Sequence, residues 1–116
     1  MGKAYTPETA AADVAAAMKV LEGRWKLILL FHLFGGQVRR YSELEKSIPG
    51  ISQKMLAQQL RALEADGLVL RTVYPEVPPK VEYQLTDWGQ ALCPVLDALL
   101  SWREGKQSAA ANGREP

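Results

Sequence analysis

The sequence predicts a mainly α-helical single domain carrying one small β-hairpin, and three observations lead there. Apolar residues recur at helical spacing along most of the chain, and a Pro-Gly pair separates two helix-like stretches near its middle. Only within residues 68–85 do β-branched and aromatic residues alternate with polar ones, on either side of a proline-rich connection. A chain of 116 residues with 47% apolar and 23% charged side chains fits one packed core, because two cores of this total length would each be too small to close.

Thr6 is placed to cap a first helix with Pro7 at its first position, and alanines carry that helix to Leu21. Val14, Met18 and Leu21 share one side of it, and the small residues around them let another helix approach, so an interface helix is expected. After Gly23, residues 25–34 read WKLILLFHLF, apolar nearly all round, which predicts a helix buried on most sides and stopped by Gly35-Gly36. Ser42, with Glu45 three residues on, forms a capping-box pattern for a brief third helix. Pro49-Gly50 turns the chain, and Ser52 caps a fourth helix, SQKMLAQQLRALEADG, that ends at Gly67.

Two strands follow, at residues 68–74 and 81–85, where Val81, Tyr83 and Leu85 alternate with Glu82 and Gln84. Their connection, PEVPPK at residues 75–80, projects as a stiff loop because prolines cannot continue a ladder. Thr86 caps a last helix that should run to about Trp102, with a kink at Pro94. Trp88, Leu92, Val95, Leu99 and Trp102 line one stripe of it, long enough to pack on a partner helix. Residues 105–116 contain no large apolar side chain, so the expected division is a domain over 1–104 and a disordered tail over 105–116. Helix, tight turn, helix and hairpin in this order describe a winged helix-turn-helix.

A formal net charge of +1 says nothing for nucleic acid, but the placement of the cations does. At about 100° per residue, Leu56, Leu60 and Leu63 fall on one side of the fourth helix and Lys54, Ala57, Gln58 and Arg61 on the other. The second side suits double-stranded DNA: an amide can pair with adenine, cations can reach guanine or phosphate, and a methyl can meet thymine. Ser52 and the amides at Gln53 form a helix N-terminus able to receive a phosphate oxygen. A plain solvated face would have a similar composition. What favours DNA is the neighbouring hairpin, whose Arg71 and Lys80 flank the stiff loop as a wing for the backbone or minor groove. Arg39, Arg40 and Lys46 add cations at the entry to the motif, as phosphate contacts or simply as solvated charges.

From Gly23 to Leu92 these residues carry a family resemblance. G-R-W-K at Gly23 to Lys26, Y-S-E-L at Tyr41 to Leu44, P-G-I-S-Q-K-M-L at Pro49 to Leu56 and Y-x-L-T-x-x-G at Tyr83 to Gly89 resemble the HxlR family of bacterial winged-helix regulators, relatives of the MarR group. The likeness spans about residues 12–102. It implies a homodimer held by the first and last helices, two recognition helices in successive major grooves, and a palindromic operator. One position departs: many members carry a sensing cysteine eleven residues before the first motif glycine, where this chain has Ala12.

Other chemistries find little support. There is no nucleophile elbow, phosphate loop or dinucleotide fingerprint, so no enzyme activity is expected. A single histidine, His32, in the most apolar helix reads as a core residue, and one His with one distant Cys cannot make a zinc cluster, so neither metal nor cofactor is expected. Cys93, the single cysteine, reads as a small hydrophobe beside the stripe, with a redox or electrophile-sensing role as the other reading of its thiol. Trp25, Trp88, Trp102 and Tyr83 fit either packing or the lining of a small-molecule effector pocket. The longest apolar run, Leu27 to Phe34, is far below the ~20 residues of a membrane span, and the N-terminus lacks a secretory h-region, which together favour the cytoplasm. The alternative function is a winged-helix module used for protein contacts, since fold does not fix function.

Overall fold

The computed structural model describes residues 4–111 and contains α1 (Pro7–Val20), α2 (Arg24–Leu33), β1 (Arg39–Arg40), α3 (Tyr41–Ser47), α4 (Gln53–Ala65), β2 (Val69–Tyr74), β3 (Lys80–Leu85), α5 (Asp87–Gln90) and α6 (Leu92–Ala111). It is mainly helical with a winged sheet, as the residue pattern predicts. Where two strands were expected, three form an antiparallel sheet in the order β1-β3-β2. Arg39 pairs with Tyr83 and Arg40 with Glu82 at one edge, while Val69 through Tyr74 pair with Leu85 through Lys80 at the other.

The third strand explains a misplaced cap. Because β1 delivers an extended chain directly to Tyr41, α3 begins before Ser42 can cap it, and Ser42 lies in the first turn. The cap interaction is instead Glu43 Oε1 accepting the Arg40 N–H at 2.7 Å, so the expected Ser42–Glu45 box does not form. The caps at Thr6 and Ser52 stand as expected: Thr6 Oγ1 accepts the Thr9 N–H at 3.1 Å, and Ser52 Oγ accepts the Met55 N–H at 3.0 Å.

The last helix is two. Thr86 caps only the single-turn α5, accepting the Gly89 N–H at 3.0 Å, and the chain restarts at Leu92. Proline explains the break. In a continuous helix Pro94 would remove an interior N–H, whereas after the restart it sits in a first turn, where no intrahelical donor is needed. The helix then passes Gly105, the expected start of a tail, and continues to Ala111; residues 112–116 lie outside the described residues.

The core collects Leu29, Leu30 and Leu33 of α2, Leu44 and Ile48, Leu56, Leu60 and Leu63 of α4, and Leu68, Val69, Tyr83 and Leu85 of the sheet region. Gly89 locks α5 onto it: a Cβ there would collide with the Leu68 carbonyl oxygen, so only glycine lets α5 lie this close to the start of β2. α1 differs from every other long helix in contributing no buried residue. No described helix is long and apolar enough to cross a membrane.

Candidate nucleic-acid interface

The capped N-terminus of α4 opens a face that the rest of the fold leaves uncovered. Leu56, Leu60 and Leu63 are fully buried, while Ser52, Gln53, Lys54, Gln58 and Arg61 are exposed and Ala57 is half-buried at the edge of the face. The angular split read from the spacing therefore appears in three dimensions. α3 holds this helix through a long-range hydrogen bond, Tyr41 hydroxyl to Gln53 carbonyl oxygen at 2.6 Å. Burial pushes the Tyr41 phenol pKa up, with Glu45 and Tyr83 adding and Arg61 opposing, so the hydroxyl keeps its proton and remains a donor. Tyr41 was not among the expected site residues. Its contact joins positions twelve apart in sequence across a turn, and no periodicity signals that.

The sheet sorts the remaining cations onto two faces. Successive strand residues point to opposite sides, so Arg39 and Arg40 cannot act as a pair. Arg39, Tyr83 and Arg71 stand in register across β1, β3 and β2 on the face turned to α4. There Arg71 and Tyr83 meet Ala57, Leu60, Arg61 and Glu64 around a shallow groove of about 270 Å³. Arg61 and Arg71 thus reinforce each other at the C-terminal half of the recognition helix, with Glu64 as the nearby carboxylate. Arg39 lies half-buried, and its Nε is the buried side-chain polar atom without a hydrogen-bond partner among the described residues.

On the opposite face, Arg40 and Lys80 come together at the base of the wing. With Tyr41, Ser42, Pro79 and Val81 they surround a second shallow groove, of about 290 Å³. The Lys80 amine is 3.4 Å from Glu82 Oε2 and 4.8 Å from the centre of the Tyr74 ring, which holds it at the base instead of the tip. The tip itself presents Val77, 100% exposed. Ser42, which lost its capping role, lines this groove with the two cations, and the β1–β3 pairing that forms it has no signature in a two-residue strand. Lys46 is exposed on α3.

The expected dimer residues divide. Val14, Met18, Trp88, Val95, Leu99 and Trp102 are exposed, Met18 at 66% and Trp102 at 72%, whereas Leu21 and Leu92 are half-buried against the core. Between α1 and α5–α6 runs an apolar groove of about 510 Å³, lined by Val20, Leu21, Leu68, Trp88, Leu92 and Val95 among others. His32 is half-buried, and so is Cys93, whose Sγ lies 3.9 Å from Asp97 Oδ2.

A capped helix with a free polar face, a preceding helix pinned to it and a cationic three-stranded wing beside it define a winged helix-turn-helix protein of the transcription-regulator class. The HxlR-like helix-turn-helix model matches residues 20–110, and the chain belongs to that family. It is 52% identical over 90 residues to the HTH-type transcriptional regulator YtcD of Bacillus subtilis, covering 78% of this chain and 71% of that one. It is 45% identical over 103 residues to an HTH-type regulator of Methanothermobacter thermautotrophicus, covering 89% and 78%. Among solved structures, a MarR-family transcriptional regulator of Enterococcus faecalis superposes with a TM-score of 0.83 at 37% identity, over 96% of this chain and 97% of that one. The redox regulator HypR in its reduced form superposes with a TM-score of 0.75 at 42% identity, over 86% and 98%.

The motifs now have physical content. Gly23 takes φ +109° at the entry to α2, a conformation that disfavours side chains, and Arg24 stacks 4.4 Å from the centre of the Trp25 ring. In Y-S-E-L, Tyr41 pins α4, Glu43 caps α3 and Leu44 is buried. In Y-x-L-T-x-x-G, Tyr83 and Leu85 enter the core, Thr86 donates to the Gly67 carbonyl at 2.7 Å and caps α5, and Gly89 permits its close approach. Most motif residues hold the fold, and few of them lie on its uncovered face.

Proposed function

We propose that this protein regulates transcription as a homodimer on a palindromic operator, with α4 of each copy in one of two successive major grooves. The observation that carries this is the uncovered face of α4: Gln53 and Lys54 are exposed at its capped N-terminus and Gln58 and Arg61 further along it, with Arg71 beside Arg61 and a second cationic groove, at Arg40 and Lys80, on the other face of the wing. In this reading Gln53, Gln58 and Ala57 meet base edges, Lys54 and Arg61 reach guanine or phosphate, and Ser52 receives a phosphate oxygen. Arg71 reinforces Arg61, and Arg40 with Lys80 takes the backbone beside the wing. Half-sites then lie one helical turn, or a multiple of it, apart. The family likeness favours repression and a cytoplasmic location.

The dimer rests on the unburied apolar faces of α1 and α6, which a second copy would cover. The adjoining groove of about 510 Å³ also falls within the size range of small-molecule sites, so an apolar effector has a place to bind. HypR is a redox regulator. That sensing role is not carried over, because Ala12 stands where the likeness places a thiol and the single cysteine, Cys93, sits on α6 beside Asp97. Salt titration tests the reading. Log affinity for DNA should fall linearly with log salt, and Lys54→Ala with Arg61→Ala should reduce the slope by about 2 and remove most binding. Salt-independent association with protein and none with DNA would support the alternative of an interaction module.

A further inference from the structure

We propose that Lys26 is a positioning residue that fixes the angle between α1 and the recognition helix α4, and thereby the half-site spacing the dimer accepts. The proposal rests on the dimeric operator reading. The Lys26 Nζ donates to the carbonyl oxygen of Val20, the last residue of α1, at 3.2 Å, and lies 3.9 Å from Oδ2 of Asp66, the C-cap residue of α4. The carbonyls of Met18 and Lys19 are taken by the turn that follows α1, accepting from Leu21 and Glu22. The Val20 carbonyl accepts from Lys26. One ammonium thus joins the C-terminal ends of two helices, both negative by their backbone dipoles.

Apart from this ammonium, α1 is held at its C-terminal end by Val20 and Leu21, which pack half-buried against the core. α1 has no buried residue, and it reaches α2 through a three-residue link, Leu21 to Gly23, whose glycine has φ +109°. Lys26 itself is well fixed, with only 18% of its side chain exposed, at the start of the most buried helix. The leverage is large. At 1.5 Å per residue the 14 residues of α1 span about 21 Å, so a rotation of roughly ten degrees at the link displaces the far end by about 3.7 Å. That is close to the rise of one base pair, about 3.4 Å, so a small change in this angle changes which spacing both copies can span. The ion pair with a 39%-exposed Asp66 contributes little to stability, so losing it should affect spacing more than folding.

The test uses K26M, which keeps the aliphatic stem, and D66N, which leaves the Lys26–Val20 bond intact. The probes are duplexes selected by wild-type protein from a random-sequence library, then rebuilt with one base pair added or removed between the half-sites, and a duplex with a single half-site. Wild type should lose about tenfold in affinity when the spacing changes by one base pair, and K26M less than about threefold, with D66N between them. Single half-site binding and melting temperature should match wild type in both variants. Wild-type spacing penalties retained in K26M and D66N, with or without a uniform loss of affinity, would overturn the proposal. A wild-type protein that selects no paired half-sites would instead overturn the dimeric reading beneath it.

Discussion

The centre of the molecule and its two outer helices treat their apolar residues in opposite ways. From α2 to β3 nearly all the leucines close on one another, Leu70 on β2 excepted: Leu29, Leu30, Leu33, Leu56 and Leu63 are wholly buried, and Tyr83 and Leu85 seal the sheet side. α1 and α6 bury Leu96 and partly bury Val20 and Leu92 but leave most of their large apolar residues open, with Val14, Met18, Val95, Leu99, Leu100 and Trp102 all more than half exposed. A single copy therefore completes the reading head and leaves the arms unfinished. Contiguous exposed apolar surface on a small domain marks a place of association, and on that the proposed dimer rests.

If the head is self-sufficient, damage to it should cost the same at every protein concentration. Leu30→Ala should destabilise by about 2–5 kcal/mol in urea unfolding, by the same amount at nanomolar and at tens of micromolar protein. Gly89→Ala forces a methyl against the Leu68 carbonyl and should cost about 1–3 kcal/mol by the same assay, since backbone gives way less readily than a side chain. Ser52→Ala should cost about 1 kcal/mol, by leaving the Met55 N–H without its cap, and should also weaken DNA binding if a phosphate sits there. In the arms the pattern should invert: Met18→Ala should barely shift the unfolding midpoint at nanomolar protein and lower it at tens of micromolar, because only the dimer would bury that side chain. A concentration-independent cost at Met18 would break the distinction.

The head was also the more legible region. Helical periods and the Ser52 cap located α4 and its buried leucines, since a 3.6-residue period and a capping hydroxyl are local properties. Features that depend on distant partners were missed. β1 is only two residues long and exists because β3 lies beside it, so nothing in Arg39-Arg40 announces a strand. That pairing moved the α3 cap from Ser42 to Glu43 and sent Arg39 and Arg40 to opposite faces. Pro94 was recognised as a disturbance, but not that the chain would answer it by restarting the helix at Leu92. Tyr41 on Gln53, Lys26 between Val20 and Asp66, and Gly89 against Leu68 are tertiary contacts with no linear pattern. The apolar stripe of the arms was visible because it is periodic; that Leu21 and Leu92 turn inward while Trp102 turns out depends on where the arms attach.

Whether a second copy closes the arms decides between a dimeric regulator and a single-chain one. Sedimentation equilibrium of the wild-type chain at micromolar concentration should give twice the chain mass, and Trp102→Glu or Leu99→Glu, which would bury a charge in the closed interface, should give the chain mass with the helical content unchanged. Wild-type protein that sediments as a single chain at that concentration would contradict the dimer.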